Sequence, residues 1–353
     1  MTKFLKGNEA VVAGALYAGG EVYFGYPITP ASEIAHAAAA WFPSVGKAFL
    51  QAECETAAIS MLYGAACAGQ AAITATSGPG MSLMQEGISY LAAAELPGVI
   101  VNIMRSGPGL GNIFPEQSDY NQAVRGGGHG NYKCLVLAPG NVQEMCDLTI
   151  KAFELSFKYR TPAIILADGL LGQMMESITL PEKVSVPPDT TEWSVQGTPE
   201  TRGNLITSIF MNAEIQEQRN LHLKNKYATM GKDACCELYR CEDADIILAA
   251  YGISSRISRT AVDVLRDKGI KAGLFRPITI TPFPVSELCE ITLDRKLLVV
   301  EHSDSQFCDD ICLHLAKEGH RYQELALITR MGGVIITVDE LIAKVKEELD
   351  ESN

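Results

Sequence analysis

Through the first 170 residues, short apolar runs alternate with stretches of helical periodicity. The pattern predicts helices over 8–18, 31–42, 56–69, 81–94 and 142–159, and strands over 22–28, 49–53, 71–77, 99–104, 135–138 and 164–167. Most of the strand runs are apolar at successive positions rather than at alternate ones. Both of their faces are therefore expected to be buried, which is the signature of a parallel sheet covered by helices on each side.

The rhythm breaks between residues 180 and 245. Val186-Pro187-Pro188-Asp189 is turn-forming, and the charged stretch 212–232 reads as one exposed helix. A second α/β pattern begins at the apolar run 245–252. It continues with a helix over 255–268, a strand running into Arg276-Pro277-Ile278-Thr279, a helix near Val285, a strand over 297–301, a helix near Asp309 and a last strand and helix. A chain of 353 residues is long for one core. The expected division is 1–180, a linker with a helical segment over 181–244, and a second domain over 245–353. There is no short-period repeat.

Composition narrows the classes of function. The net charge is −13 and no dense Lys/Arg cluster occurs, which argues against nucleic acid and against an anionic membrane surface. No apolar stretch is long enough to span a membrane, and the first residues lack the apolar core of a signal peptide, so a cytoplasmic protein is expected. The ten cysteines include no C-x-x-C pair and no ferredoxin or paired zinc spacing, and are expected to pack as reduced thiols.

Ligands of open parallel sheets bind at the carboxyl ends of the strands. Four such ends are rich in Gly, Pro and polar residues: 25–30 (GYPITP), 51–55 (QAECE), 76–80 (TSGPG) and 104–111 (MRSGPGLG). Together they suggest one shared cavity. In the first, Pro27 and Pro30 restrict the backbone around Thr29. Glu55 lies between a strand and a helix of small residues, where a carboxyl can serve the helix dipole or share a proton in a low-dielectric site; Glu53 competes with it. Arg105 ends an apolar strand and can clamp a carboxylate or pair with Glu116 or Asp119. Phosphate motifs are weak: Gly107-x-Gly109-x-Gly111 is followed by Asn112, and no Walker lysine follows a glycine run. Ala167-Asp168-Gly169 lacks the downstream asparagines of a magnesium–diphosphate motif, and His129 stands alone in a glycine loop.

In order, GYPITPASEI, QAECETAAISMLYGAACAG, TATSGPGMSLMQEGISYLAAAELP and VNIMRSGPGLG resemble the alpha subunits of 2-oxoacid:ferredoxin oxidoreductases. QSDYNQAVRGGGHGNY and LADGLLGQMME are similar to the 2-ketoisovalerate branch of that family. The resemblance covers nearly the whole chain and is thinnest over 180–245. It implies a thiamine diphosphate pyrimidine-binding domain, doubly wound around a parallel sheet, followed by an α/β domain like the C-terminal domain of transketolase.

The activity it implies is oxidative decarboxylation of a branched-chain 2-oxo acid to acyl-CoA, with electrons passing to ferredoxin. By resemblance, Glu55 hydrogen-bonds the aminopyrimidine ring nitrogen and activates the cofactor, while Thr29 and Arg105 contact the substrate carboxylate. Tyr26, Pro27, Ile28, Ser77, Gly78 and Gly80 lie along the cofactor. Diphosphate and magnesium are assigned to a separate beta chain. Further gamma and ferredoxin-like delta chains, iron–sulfur clusters held outside this chain, and a hetero-oligomer built as a dimer of protomers complete the expectation. Two features depart from relatives: the loop after Arg105 lacks a threonine-rich form, and Ser305-Gln306 replaces a glycine–glutamine pair, which bears on ligand contacts of the second domain. The alternatives are another 2-oxo acid, such as 2-oxoglutarate or an aryl pyruvate, and a non-catalytic assembly subunit.

Overall fold

The computed structural model describes residues 1–293, 295–319 and 325–350. The last residues assigned above to the second domain, 351–353, lie outside the described residues.

The first sheet has seven strands in the order Thr279–Thr281, Leu135–Leu137, Pro162–Asp168, Gly98–Met104, Ala72–Thr76, Val22–Gly25, Ala48–Gln51. Its neighbours are parallel except at the edge, where Thr279–Thr281 runs antiparallel to Leu135–Leu137. Alternate residues of the central strand Gly98–Met104 serve opposite cores. Val99, Val101 and Ile103 pack under the helices Gly7–Tyr17, Ser32–Ser44 and Val142–Tyr159. Ile100 and Met104 face the helices Glu55–Cys67 and Gly78–Ala93. This two-sided burial is why the strand reads as a continuous apolar run.

The second sheet has the order Leu325–Thr329, Lys296–Glu301, Ile246–Ala249, Ala272–Pro277, Cys236–Tyr239. It is parallel apart from Cys236–Tyr239, which runs antiparallel to Ala272–Pro277. One hydrophobic core joins the two units. It runs from Met81 and Met84 through Tyr120 and Tyr251 to Phe275 and Phe307.

Several boundaries differ from the expected ones. The strand expected over 22–28 ends at Gly25, because the chain through Pro27 and Pro30 leaves the ladder. The helix expected from 81 begins at Gly78, with Pro79 in its first turn, where a missing N–H is tolerated. The strand expected to run into Thr279 is two: one ends at Pro277, and the next crosses over to the first sheet. The antiparallel ribbon Thr2–Lys6 with Met175–Thr179, and the strand Cys236–Tyr239, are absent from the sequence reading. The charged helix is present as Ala213–Thr229. It is fastened to the first unit by Arg219, His222 and Lys226, which surround Glu95.

Candidate active site

The carboxyl ends of the parallel strands place the four tips on one edge of the first sheet. Beyond Gly25 the first tip is braced from beneath. The carbonyl of Pro30 accepts from Asn8 Nδ2 at 2.8 Å and from Gln173 Nε2 at 3.4 Å. Both amides also reach Glu33, at 3.0 and 2.9 Å, and Lys6 Nζ lies 3.3 Å from the same carboxylate. Burial pushes the Glu33 carboxyl up, but the hydrogen bonds from Gln173, Asn8 and Lys6 outweigh it and leave the group below its ordinary value. Asn8, Glu33 and Gln173 are supports that the sequence reading missed. A buried asparagine in the first turn of a helix was the available signal. On this base Tyr26, Pro27 and Thr29 are exposed and Ile28 is half-buried.

Arg105 meets this tip directly. Its Nη1 donates to the Thr29 carbonyl at 2.8 Å and its Nη2 to the Leu110 carbonyl at 3.0 Å. The pairing with Glu116 or Asp119 weighed above does not form. Glu116 instead accepts from the backbone N–H of Gly107 (3.1 Å) and of Gly332 (3.2 Å), clasping the loop after Arg105 to the second unit. Gly111, at φ +55, closes this loop so tightly that a side chain would collide with the Ser106 carbonyl. Asp119 accepts from Asn102 Nδ2 at 3.0 Å. Burial raises its carboxyl, with Glu116 adding to the rise, against the lowering by Asn102 and Arg105.

The third tip lies beside Arg105 and Glu55 together. A side chain on Gly78 would touch Arg105 Cγ at 3.7 Å. One on Gly80 would lie 2.8 Å from Glu55 Cδ, and closer still to Glu55 Oε1 and Thr76 Oγ1. Glu55, the first residue of its helix, is 5% exposed, whereas Glu53 faces outward. Among the described residues the Glu55 carboxylate accepts no hydrogen bond from within the chain. Beside it the hydroxyl of Thr76 is buried without a partner, and along the same edge so are the Ser77 hydroxyl, Asn102 Oδ1 and Arg105 Nε. Thr29, Arg105, Gly78, Gly80 and Glu55 thus follow one another along a single edge. A flat, polar ring fits this edge: glycine leaves room for it, and an uncommitted carboxyl and hydroxyls stand ready to bind it.

A cleft of about 770 Å³ opens beside Arg105, between the two units. Gly78, Gly107 and Leu110 line one side, and Asp304, Gln306 and Met331 line the other. Ser305 adopts φ +61, a left-handed conformation natural to glycine, so serine here keeps the backbone path that the usual glycine would take. Gln306 accepts from the Asn121 N–H at 2.9 Å and donates to the Ser118 carbonyl at 2.7 Å, tying the start of its helix to the first unit. His129 lies exposed in its loop. Asp168 is a structural residue: it accepts from the N–H groups of Leu170, Leu171 and Ile253, joining two helix N-termini.

Comparison with known proteins agrees with this arrangement. Residues 13–230 match the family described as pyruvate flavodoxin/ferredoxin oxidoreductase, thiamine diphosphate-binding, and residues 244–341 match pyruvate:ferredoxin oxidoreductase core domain II. Ketoisovalerate oxidoreductase subunit VorB of Methanothermobacter marburgensis is 54% identical, with 100% of this chain and 99% of that protein covered. 2-Oxoglutarate synthase subunit KorA of Archaeoglobus fulgidus is 39% identical over 84% of this chain and 87% of that one. Among solved structures, the 2-oxoglutarate:ferredoxin oxidoreductase from Magnetococcus marinus superposes with a TM-score of 0.84 at 26% identity, over 98% of this chain and 65% of that chain. A split-gene transketolase, at 12% identity and a TM-score of 0.61, shares the fold. This chain belongs to the thiamine diphosphate-dependent 2-oxoacid:ferredoxin oxidoreductases, as a subunit of that enzyme family.

Proposed function

We propose that the chain is the alpha-type subunit of a complex that oxidatively decarboxylates a branched-chain 2-oxo acid to its acyl-CoA and passes the electrons to ferredoxin. The observation that carries the substrate class is the lining of the cleft. Among its described residues Arg105 is the only cation, while Glu116, Asp119 and Asp304 are acidic and Leu110, Pro108 and Met331 are apolar. One guanidinium suits one carboxylate. A second carboxylate, as on 2-oxoglutarate, would meet like charge. The 54% identity to a ketoisovalerate oxidoreductase subunit supports the same choice.

Thiamine diphosphate, when bound, supplies the carbon nucleophile and the electron sink for decarboxylation. The residues here divide the work around it. Glu55 presents a buried carboxyl to the aminopyrimidine ring nitrogen and holds a proton there. Ser77, Gly78 and Gly80, with Tyr26, Pro27 and Ile28, would hold the ring by contact. Two of the five Arg105 N–H bonds hold the Thr29 and Leu110 carbonyls, which fixes the guanidinium plane and leaves the remaining donors for the substrate carboxylate. The Thr29 hydroxyl joins them from the exposed tip. Partner chains hold the diphosphate with its magnesium, the iron–sulfur clusters and coenzyme A, in a cytoplasmic hetero-oligomer of two protomers with beta, gamma and ferredoxin-like delta subunits.

The test uses the complex assembled with its partner chains. Wild type should reduce its acceptor far faster with 2-oxoisovalerate than with 2-oxoglutarate, and Glu55→Gln should lower turnover at least about a hundredfold. A preference for 2-oxoglutarate overturns the substrate assignment. Near-normal turnover by Glu55→Gln overturns the role of Glu55 and favours an assembly subunit.

A further inference from the structure

The hydroxyl of Thr76 has no place in the roles above, yet it stands closest to the group on which they depend. Thr76 ends the strand Ala72–Thr76 and is fully buried, and its Oγ1 has no hydrogen-bond partner. A buried hydroxyl left unpaired is costly, and in a native fold it calls for a reason. The space around Gly80 supplies one. The atoms nearest the point where a Gly80 side chain would start are Thr76 Oγ1 and the Glu55 carboxyl, through Oε1 and Cδ. The hydroxyl and the carboxylate therefore converge on one gap that exists because residue 80 is glycine. The hydroxyl is a donor at that gap and the carboxylate an acceptor that the described residues leave free.

We propose that Thr76 is a positioning residue for Glu55: with the cofactor bound, its hydroxyl would close the gap to Oε1 and donate to it, leaving the other carboxyl oxygen for the pyrimidine ring. The inference rests on the reading of Glu55 given above. Threonine suits the task because its β-branch restricts the side-chain rotamer on a strand, so the hydroxyl is held in place before any ligand arrives.

Thr74 provides an internal control. It lies two residues earlier on the same face of the same strand, and its hydroxyl is likewise buried and unpaired, but the atoms nearest the Gly80 position belong to Thr76 and Glu55. Valine replaces threonine with little change of shape and suits a strand, so Thr76→Val and Thr74→Val should both fold, as thermal melting would show. Thiamine diphosphate is titrated by calorimetry into the cofactor-stripped complex. Removing a hydrogen bond to a charged group should raise the dissociation constant of Thr76→Val about tenfold. Thr76→Ser should stay within about twofold of wild type, and Thr74→Val should be unchanged. Wild-type affinity in Thr76→Val, or an equal loss in Thr74→Val, overturns the proposal. Glu55→Gln in the same series separates the two failures. If it loses turnover while Thr76→Val binds normally, only the role of Thr76 is wrong; if it turns over normally, the reading of Glu55 falls and the proposal with it.

Discussion

Replacing Gly80 with alanine sets activity against stability in a way that only a working Glu55 can explain. The added methyl would lie 2.8 Å from Glu55 Cδ. Carbon atoms settle at about 3.5–4.0 Å, so the carboxyl must retreat by about 1 Å. The Thr76 hydroxyl lies closer still to the same point, so it must turn aside as well as the Glu55 carboxyl. Misplacing a reacting group by 1 Å costs on the order of a hundredfold in rate. The cost in stability is much smaller. Crowding a packed site costs about 1–3 kcal/mol, but alanine within a helix regains about 0.5–1 kcal/mol over glycine, and residue 80 lies inside Gly78–Ala93. The net is a loss of about 0–2.5 kcal/mol, a few degrees of melting temperature for a chain of this size. The assay is acceptor reduction with 2-oxoisovalerate by the assembled complex at saturating cofactor, run beside thermal melts of the variant. A Gly80→Ala complex that melts within a few degrees of wild type and keeps its turnover within about threefold would refute the reasoning, because displacing Glu55 would then be harmless.

Thr29→Ala removes a hydroxyl that makes no hydrogen bond among the described residues, from an exposed position; stability in a denaturant titration should change by less than about 0.5 kcal/mol, while turnover falls at least about tenfold. His302 supplies a pH prediction: burial lowers its imidazole from 6.5 to about 4, so the unfolded chain binds the extra proton between those values, and the contribution is complete above pH 6.5 and lost as pH falls toward 4. The loss amounts to about 3 kcal/mol, and His302→Asn should remove about one proton from the slope of unfolding free energy against pH over that window, which urea titrations from pH 7 to pH 4 would show.

How far the site could be read from the sequence depended on how local each signal was. Glycine and proline at the strand ends marked the edge correctly, because their backbone restrictions act within a few residues. Local pattern left Glu53 and Glu55 in competition and the family resemblance chose Glu55; the fold adds that two positions apart on a strand-to-helix turn separate an exposed carboxylate from a buried one. The alternative of an Arg105 pair with Glu116 or Asp119 could be set aside only with the fold, for a related reason. Glu116 and Asp119 are near in sequence, but Glu116 is drawn to the N–H of Gly332 and Asp119 to Asn102, while the guanidinium finds carbonyls at Thr29 and Leu110. The antiparallel strand Thr279–Thr281 escaped notice because its apolar signal merges with the preceding strand and its partner lies in the other sheet.

The two buried polar networks of this chain differ in how far they are satisfied, and the difference separates scaffold from site. Between the units, Ile336 N–H donates to His302 Nε2 at 2.9 Å, which leaves the ring proton on Nδ1 to meet Ser254 Oγ at 2.8 Å. Ser254 in turn donates to Gln117 Oε1 at 2.7 Å, and Gln117 Nε2 donates to the Tyr251 carbonyl at 3.0 Å. Every donor in that set is matched, so it fixes how the units meet and has no capacity left for a ligand. At the carboxyl edge of the first sheet the reverse holds. The hydroxyls of Thr76 and Ser77, Asn102 Oδ1 and Arg105 Nε are buried and unmatched, along the same edge as a Glu55 carboxylate that accepts no hydrogen bond among the described residues. The unpaired groups carry a cost in the free chain that a polar ligand or a partner chain can relieve. On the proposed reading this row is where the cofactor would bind, and its open groups are why the isolated subunit should gain stability on assembly.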